Sequence, residues 1–162
     1  MRQPDTDDLA LWYALNRLII NYWADVDNDG GDSAHDFYLP DAFYVVGENR
    51  FEGEENIRTF YARRRERGNA TTRHLISNLR AFSDGAHNAR IIGVMSLFQA
   101  EGRPPINEAS PLAMIADFEA RCVLVDGHSW RFQSHVLTPI FVGRDRPFSV
   151  TIDPERLRPQ GE

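Results

Sequence analysis

The sequence predicts an α+β fold, because helical periodicity fills its first part and β-rich segments fill most of the rest. Apolar side chains recur every three or four residues over residues 11–26, which predicts a helix that buries one broad face. From residue 73 to residue 142, four long β-rich segments alternate with turn signals such as Asp84-Gly85. Helices followed by consecutive strands are the order of an α+β domain, so we expect a strand meander that bends around the helices.

The first helix has clear signals at both ends. Asp5 or Thr6 can cap its N-terminus by accepting hydrogen bonds from free backbone N–H groups. We expect the helix to end near residues 24–26, because the polar, glycine-containing residues 28–31 follow. Residues 33–39 then have room for only a short helix before the first strand.

A hairpin and a second helix come next. Residues 42–46 and 50–52 have the composition of two short paired strands. Residues 54–67 predict a helix with Ile57, Phe60 and Tyr61 on one face and charged side chains on the other. The four long strands that follow are predicted at residues 73–82, 89–99, 112–125 and 129–142.

Composition narrows the class of protein. With 162 residues and a mass of 18.6 kDa, the chain suits a single domain spanning 1–162, with a core at about 9–142 and a tail at 143–162. A net charge of −6 argues against a nucleic-acid partner, and the basic run 63–67 is interpreted as a solvated helix face. The chain has neither an apolar span for a membrane nor an apolar signal core, so we expect a cytoplasmic protein.

His74 is the candidate catalytic residue. The strand period of two places His74, Ile76 and Asn78 on one face, so His74 and Asn78 are expected to share a wall. A carboxylate that accepts from one imidazole nitrogen raises the basicity of the other, which is the arrangement of a general base. Asp25 and Asp27, at the end of the first helix, are both possible partners, and the helical wheel does not choose between them.

Four segments resemble a known family in their order and spacing: YWADVD (22–27), FYLPDA (37–42), FEGEENI (51–57) and TRHLISN (72–78). Together they are similar to the SnoaL-like branch of the nuclear-transport-factor-2-like superfamily, which includes scytalone dehydratase and hexachlorocyclohexane dehydrochlorinase. The resemblance implies a cone-shaped α+β barrel, in which a curved, mostly antiparallel sheet wraps around the N-terminal helices. Carried over by motif position, the dyad of that branch corresponds to Asp27 and His74.

The resemblance implies a cofactor-independent lyase or isomerase, dehydratase- or dehydrohalogenase-like, that acts on a hydrophobic, oxygenated small molecule. His74 would remove a proton from a carbon next to a carbonyl or leaving group while Asp27 holds the imidazole. No metal and no cofactor is indicated, and a homodimer or homotrimer is implied. The candidate substrate-binding side chains are Tyr22, Trp23, Tyr44, Phe60, Asn78, Met95, Phe118, Trp130 and, with lower priority, His135.

Three other functions remain open at this point. The same fold and a similar Thr-Arg-His strand occur in the non-catalytic β subunit of aromatic-ring-hydroxylating dioxygenases, which is a scaffold. The same cavity could hold a ligand in a binding or carrier protein. Residues 25–36 match the oxygen-ligand spacing of an EF-hand calcium loop, although Asp32 stands where that loop has an apolar residue.

Overall fold

The computed structural model describes residues 6–107, 112–144, 150, 151 and 153. The predicted helices and strands are all present, in the predicted order. They are α1 (Thr6–Asn28), a 3-10 turn (Ala34–Phe37), β1 (Tyr38–Val46), β2 (Asn49–Glu52), α2 (Glu54–Glu66), β3 (Ala70–Ser83), β4 (Asn88–Glu101), β5 (Leu112–Val125) and β6 (Ser129–Val142). The possible cap Asp5 lies outside the described residues. No helix in the described part of the chain is long and apolar enough to cross a bilayer.

Helix α1 runs two residues farther than predicted and therefore carries Asp27 within its last turn. The backbone N–H of Asp29 still donates to the carbonyl of Asp25 at 2.8 Å, which closes one more helical turn before the glycines. The buried face of α1 is the predicted apolar stripe, with Leu15, Leu18, Ile19, Tyr22, Trp23 and Val26. The stripe positions Asp27 next to the sheet because it packs against β3.

Six strands form one sheet in the order β2-β1-β6-β5-β4-β3. The four long strands β3 to β6 pair antiparallel with their sequence neighbours, which confirms the predicted meander and the α+β class. The β1–β2 hairpin joins the sheet through a parallel pairing of β1 with β6. Strand β6 is therefore the last strand of the meander and the one that joins the hairpin, and its side chains Phe132, His135 and Leu137 are buried.

Strand β1 begins earlier than expected and includes Pro40. Proline has no N–H for the ladder, and the pairing of β1 with β6 is irregular between Tyr38 and Phe43, where Pro40 falls. Helix α2 packs on β1 and buries Ile57 and Tyr61, two of the three side chains predicted for its inner face. The core therefore lies between the two helices and one face of the sheet.

Candidate active site

The Asp27 carboxylate at the end of α1 meets His74 on β3. His74 Nδ1 and Asp27 Oδ1 are 2.6 Å apart, and the backbone N–H of His74 donates to Asp27 Oδ2 at 2.8 Å. The Thr72 hydroxyl donates to Oδ1, also at 2.8 Å. Thr72 and His74 are two residues apart on β3 and share a strand face. This short stretch of one strand therefore supplies all three hydrogen bonds to Asp27. Only 7% of the His74 side chain and 9% of the Asp27 side chain are exposed, so water competes little for these contacts.

The electrostatics of the pair favour a neutral imidazole beside an ionised carboxylate. Burial by itself raises the pKa of Asp27, but the hydrogen bonds from His74 and Thr72 bring this pKa below its usual value. Burial lowers the pKa of His74, and the hydrogen bond to Asp27 opposes that effect only in part. A neutral His74 that donates Nδ1–H to Asp27 has its lone pair on Nε2. That nitrogen is the group a general base requires.

The His74 ring is held in place by an aromatic stack. The Trp23 indole lies parallel to the imidazole, with ring centroids 4.0 Å apart and an interplanar angle of 17°. Trp23 is on the buried stripe of α1, one helical turn before Asp27. One helix therefore supplies both the hydrogen-bond partner and the stacking partner of His74.

A narrow cavity of about 30 Å³ lies beside His74. Small-molecule sites have volumes of roughly 300–1,000 Å³, so the side chains that line this cavity must move apart before a ligand enters. The polar groups of its wall belong to His74, Tyr44, Tyr61, Arg64 and Gln99. The remaining lining side chains are apolar: Trp23, Val26, Val46, Phe60, Met95, Leu97, Met114, Leu137 and Val150.

Two polar residues of this site were not singled out in the sequence. Arg64 donates to the Thr72 hydroxyl at 3.1 Å and to the carbonyl of Val26 at 3.3 Å, so it reaches the residue that holds Asp27. Its signal was the spacing 57, 60, 61 and 64, which places Arg64 on the inner face of α2. The interpretation of residues 63–67 as a solvated face is wrong for Arg64, which is half-buried. The signal for Thr72 was its position two residues before His74.

A buried chain of hydroxyl groups lies behind the cavity. Tyr22 and Tyr61 hydrogen-bond through their hydroxyls. Tyr38 donates to the Tyr22 hydroxyl at 3.0 Å, and the Tyr38 oxygen lies 3.0 Å from His135 Nδ1. Since the one Tyr38 proton points to Tyr22, His135 Nδ1 must donate to Tyr38 and His135 Nε2 carries the lone pair.

His135 is fully buried and neutral. Burial, with a smaller contribution from the nearby His74, lowers the pKa of His135 to about 3. Its Nε2 atom and the Trp23 indole N–H are both buried with no hydrogen-bond partner among the described residues. The two rings are 5.7 Å apart between centroids, so these two groups lie in the same part of the core.

The sequence profile of the SnoaL-like domain matches residues 7–136, which is most of the chain. This chain belongs to the SnoaL-like domain family. No curated protein sequence shows significant similarity to it. The predicted family and the predicted α+β fold are therefore both confirmed, and a solved structure that superposes on this chain is described as having a cystatin-like fold.

Solved structures with the same fold are distant in sequence. A candidate scytalone dehydratase from Novosphingobium aromaticivorans superposes with a TM-score of 0.75 at 16% identity, over 91% of this chain and 97% of that one. The β subunit of a candidate aromatic-ring-hydroxylating dioxygenase from the same species has a TM-score of 0.71 at 14% identity, covering 86% and 94%. A Catenulispora acidiphila protein in complex with S-DNPA has a TM-score of 0.69 at 14% identity, covering 81% and 94%. At these identities the likeness shows the fold alone.

Five of the predicted site residues line the cavity. Asp27 lies just outside it, behind His74. His74, Trp23, Tyr44, Phe60 and Met95 line the cavity. Tyr22, Phe118 and His135 pack deeper in the core, where the Phe118 and His135 ring centroids are 6.1 Å apart. Trp130 is the Cα partner of Leu124, seven residues along β6 from the lining residue Leu137, so its expected place in the cavity is wrong.

Asn78 does not share a wall with His74, contrary to the expectation from a strand period of two. The pairing of β3 with β4 shifts between Ser77 and Arg80, and Asn78 has φ 53° within this bulge. A bulge adds one residue to a strand and redirects its side chains. Asn78 is exposed and lines a cleft on the other face of the sheet, with Ile92 and Thr138.

The EF-hand alternative loses the ligand at position 3 of the loop, because the Asp27 carboxylate accepts hydrogen bonds from Thr72 and His74. Asp25 instead accepts from the backbone N–H of Ser33 at 3.2 Å. The His35 side chain is only 14% exposed. Its Nε2 atom lies 3.4 Å from Asp36, but that carboxylate is 68% exposed.

Proposed function

We propose that this SnoaL-like protein is a cofactor-independent lyase or isomerase, dehydratase- or dehydrohalogenase-like, for a hydrophobic, oxygenated small molecule. The single observation that carries the proposal is the buried contact between Asp27 and His74 at the wall of the cavity. His74 Nε2 removes a proton from a carbon next to a carbonyl or a leaving group. Asp27 holds the ring and stabilises the imidazolium that forms, as carboxylates do for catalytic histidines.

The surroundings of the dyad support this chemistry. Trp23 stacks on the imidazole and Thr72 anchors the carboxylate, so the base is positioned before a substrate arrives. The cavity wall is mostly apolar, which suits a hydrophobic substrate. The Tyr44 hydroxyl on that wall is the candidate donor to an oxyanion, and burial raises its pKa to about 12, so it stays protonated.

The experiment is solvent-deuterium exchange, followed by NMR, into a panel of apolar ketones that includes β-hydroxy and β-halo ketones. Exchange and elimination both begin with removal of the proton next to the carbonyl, so one panel tests both reactions. We expect the wild-type protein to accelerate one or more members, and His74→Gln to reduce that rate by about 10²- to 10⁴-fold. The matched control is His128→Gln, which changes an exposed histidine in the turn between β5 and β6.

Two results would contradict this proposal. A His74→Gln variant with the wild-type rate removes His74 as the base. A wild-type protein that binds panel members but accelerates none favours a carrier that uses the same cavity.

A scaffold role is the second candidate function, because the fold of a dioxygenase β subunit superposes on this chain. In that case the protein would assemble with a larger Rieske-type subunit, and His74→Gln would leave the activity of the complex unchanged. Co-expression with such a subunit and size-exclusion chromatography would reveal the assembly.

A further inference from the structure

Arg64 is a cation on the inner face of α2. It follows Ile57 and Tyr61 at helical spacing, and these two side chains are buried. Arg64 is half-buried and lines the cavity together with His74 and Tyr44. Helical spacing therefore directs a guanidinium into a mostly apolar cavity, where charge is costly unless it is compensated.

The hydrogen-bond partners of Arg64 are neutral. Nη1 donates to the carbonyl of Val26 and Nη2 donates to the Thr72 hydroxyl. Ion pairs neutralise Arg58, Arg65 and other arginines of the chain, but among the described residues no carboxylate lies within 4.0 Å of the Arg64 guanidinium. Its charge still reaches the cavity, since Arg64 lowers the pKa of His74 and opposes the rise in the pKa of Tyr44. A half-buried cation whose direct hydrogen-bond partners are all neutral is suited to bind an anion.

Further arginines lie in the surface clefts next to Arg64, although the chain has a net charge of −6. Two surface clefts share Arg64 with the cavity and therefore adjoin it. One is lined by Arg63, Arg67 and Arg50, of which Arg50 pairs with Glu52, and the other by Arg67 with the carboxylate of Glu101. Positive charge around a cleft raises the local concentration of anions.

We propose that the cavity binds an apolar small molecule that carries a carboxylate, and that the Arg64 guanidinium binds this carboxylate. The fork of N–H donors in arginine matches the two oxygens of a carboxylate. Bound in this way, the apolar part of the molecule lies against Trp23, Phe60 and Met95. This inference rests on the proposed function for the reaction that follows at His74, and binding itself needs no reaction.

The experiment compares carboxylates with neutral amides of the same shape. Benzoate and 1-naphthoate are titrated against benzamide and 1-naphthamide by isothermal calorimetry. We expect the wild-type protein to bind a carboxylate about 10-fold or more tightly than its amide, as a charge-assisted contact allows. Arg64→Gln should abolish this preference while leaving amide binding within about 2-fold of wild type.

Two further variants separate loss of the anion site from loss of structure. Arg64→Lys keeps the charge without the fork, and it should retain part of the preference. Arg58→Gln removes a positive charge from the exposed side of the same helix, where Arg58 pairs with Glu54. This variant should retain the full preference for the carboxylate. Thermal unfolding of each variant reports whether the fold survives.

The proposal is overturned if wild-type protein binds neither carboxylate at millimolar concentration, or binds acid and amide equally. It is also overturned if folded Arg64→Gln keeps the preference. These results do not depend on catalysis. Carboxylate preference without any proton exchange contradicts the proposed function alone, whereas proton exchange without carboxylate preference contradicts this inference alone.

Discussion

At the residue scale, the number of hydrogen-bond donors explains why Asp27 and not Asp25 pairs with His74. Asp27 accepts from the Thr72 hydroxyl and from both the backbone N–H and Nδ1 of His74. Asp25 accepts from the backbone of Ser33, and its other oxygen is buried with no partner among the described residues. Burial therefore raises the pKa of Asp25, whereas the donors around Asp27 lower the pKa of that carboxyl.

The first prediction concerns the protonation of His74. Because burial lowers its pKa, the imidazole should take up a proton only below its ordinary value of 6.5 and remain neutral at pH 7. Asp27→Asn removes the carboxylate that favours the protonated ring, so the pKa of His74 should fall further. NMR titration of the His74 ring proton, assigned with His74→Gln, checks both statements. A titration midpoint above 6.5 would show that burial does not lower the pKa of His74. A higher midpoint in Asp27→Asn than in the wild type would show that Asp27 does not favour the protonated ring.

At the scale of elements, the connection between α1 and β1 decides how closely the helices approach each other. Gly31 has φ 78° and is buried, and a Cβ atom built there would lie 2.3 Å from the Tyr61 ring of α2. Position 31 therefore requires glycine for two reasons: the backbone is left-handed, and the Tyr61 ring leaves no space for a Cβ atom. Tyr61 in turn hydrogen-bonds Tyr22 of α1, so this glycine allows α1 and α2 to meet.

The second prediction uses two glycines with similar backbones. Gly127 has φ 68° and no atom within 4 Å of an added Cβ, so it carries the same backbone strain without the clash. Gly127→Ala should cost about 1 kcal/mol of unfolding free energy, and Gly31→Ala about 1–3 kcal/mol more, because Tyr61 must move. Urea denaturation measures the difference. Equal losses in the two variants would show that α2 adjusts without cost.

At the scale of the whole molecule, the core contains titratable groups that the fold keeps neutral. His135 is buried among aromatic rings and stacks on Phe132, with ring centroids 5.0 Å apart. The unfolded chain can protonate this histidine near pH 6.5, whereas the folded protein resists protonation until about pH 3. The unfolded state therefore binds more protons between these values, and the folded state loses stability as pH falls.

The third prediction follows from this difference in proton binding. Between pH 6.5 and pH 3, His135 alone should lower the free energy of unfolding by up to about 1.4 kcal/mol for each pH unit. Urea denaturation at pH 7, 6 and 5 should show this slope, and His135→Gln should reduce it. The control His128→Gln, in an exposed turn, should keep the wild-type slope. An unchanged slope in His135→Gln would mean that another group causes the acid sensitivity.

Much of the fold could be predicted because its signals are local. The bounds of β5 and β6 agree with prediction, since turn residues delimit both strands. The faces of β3 could not be predicted beyond Ser77, because the bulge at Asn78 depends on pairing with β4. Asp27 was assigned by resemblance, and helical spacing alone left Asp25 open. The single domain and the homo-oligomer stay predictions.

The sequence by itself determined the order of the elements, the α+β class, the apolar stripe of α1 and the strand that carries His74. Periodicity along a chain is sufficient for these features, because each depends on residues a few positions apart. Only the tertiary structure decided that Asp27 contacts His74, that Arg64 enters the cavity and that His135 is buried. These features join residues 38 to 97 positions apart, and contacts over such distances arise from packing between elements.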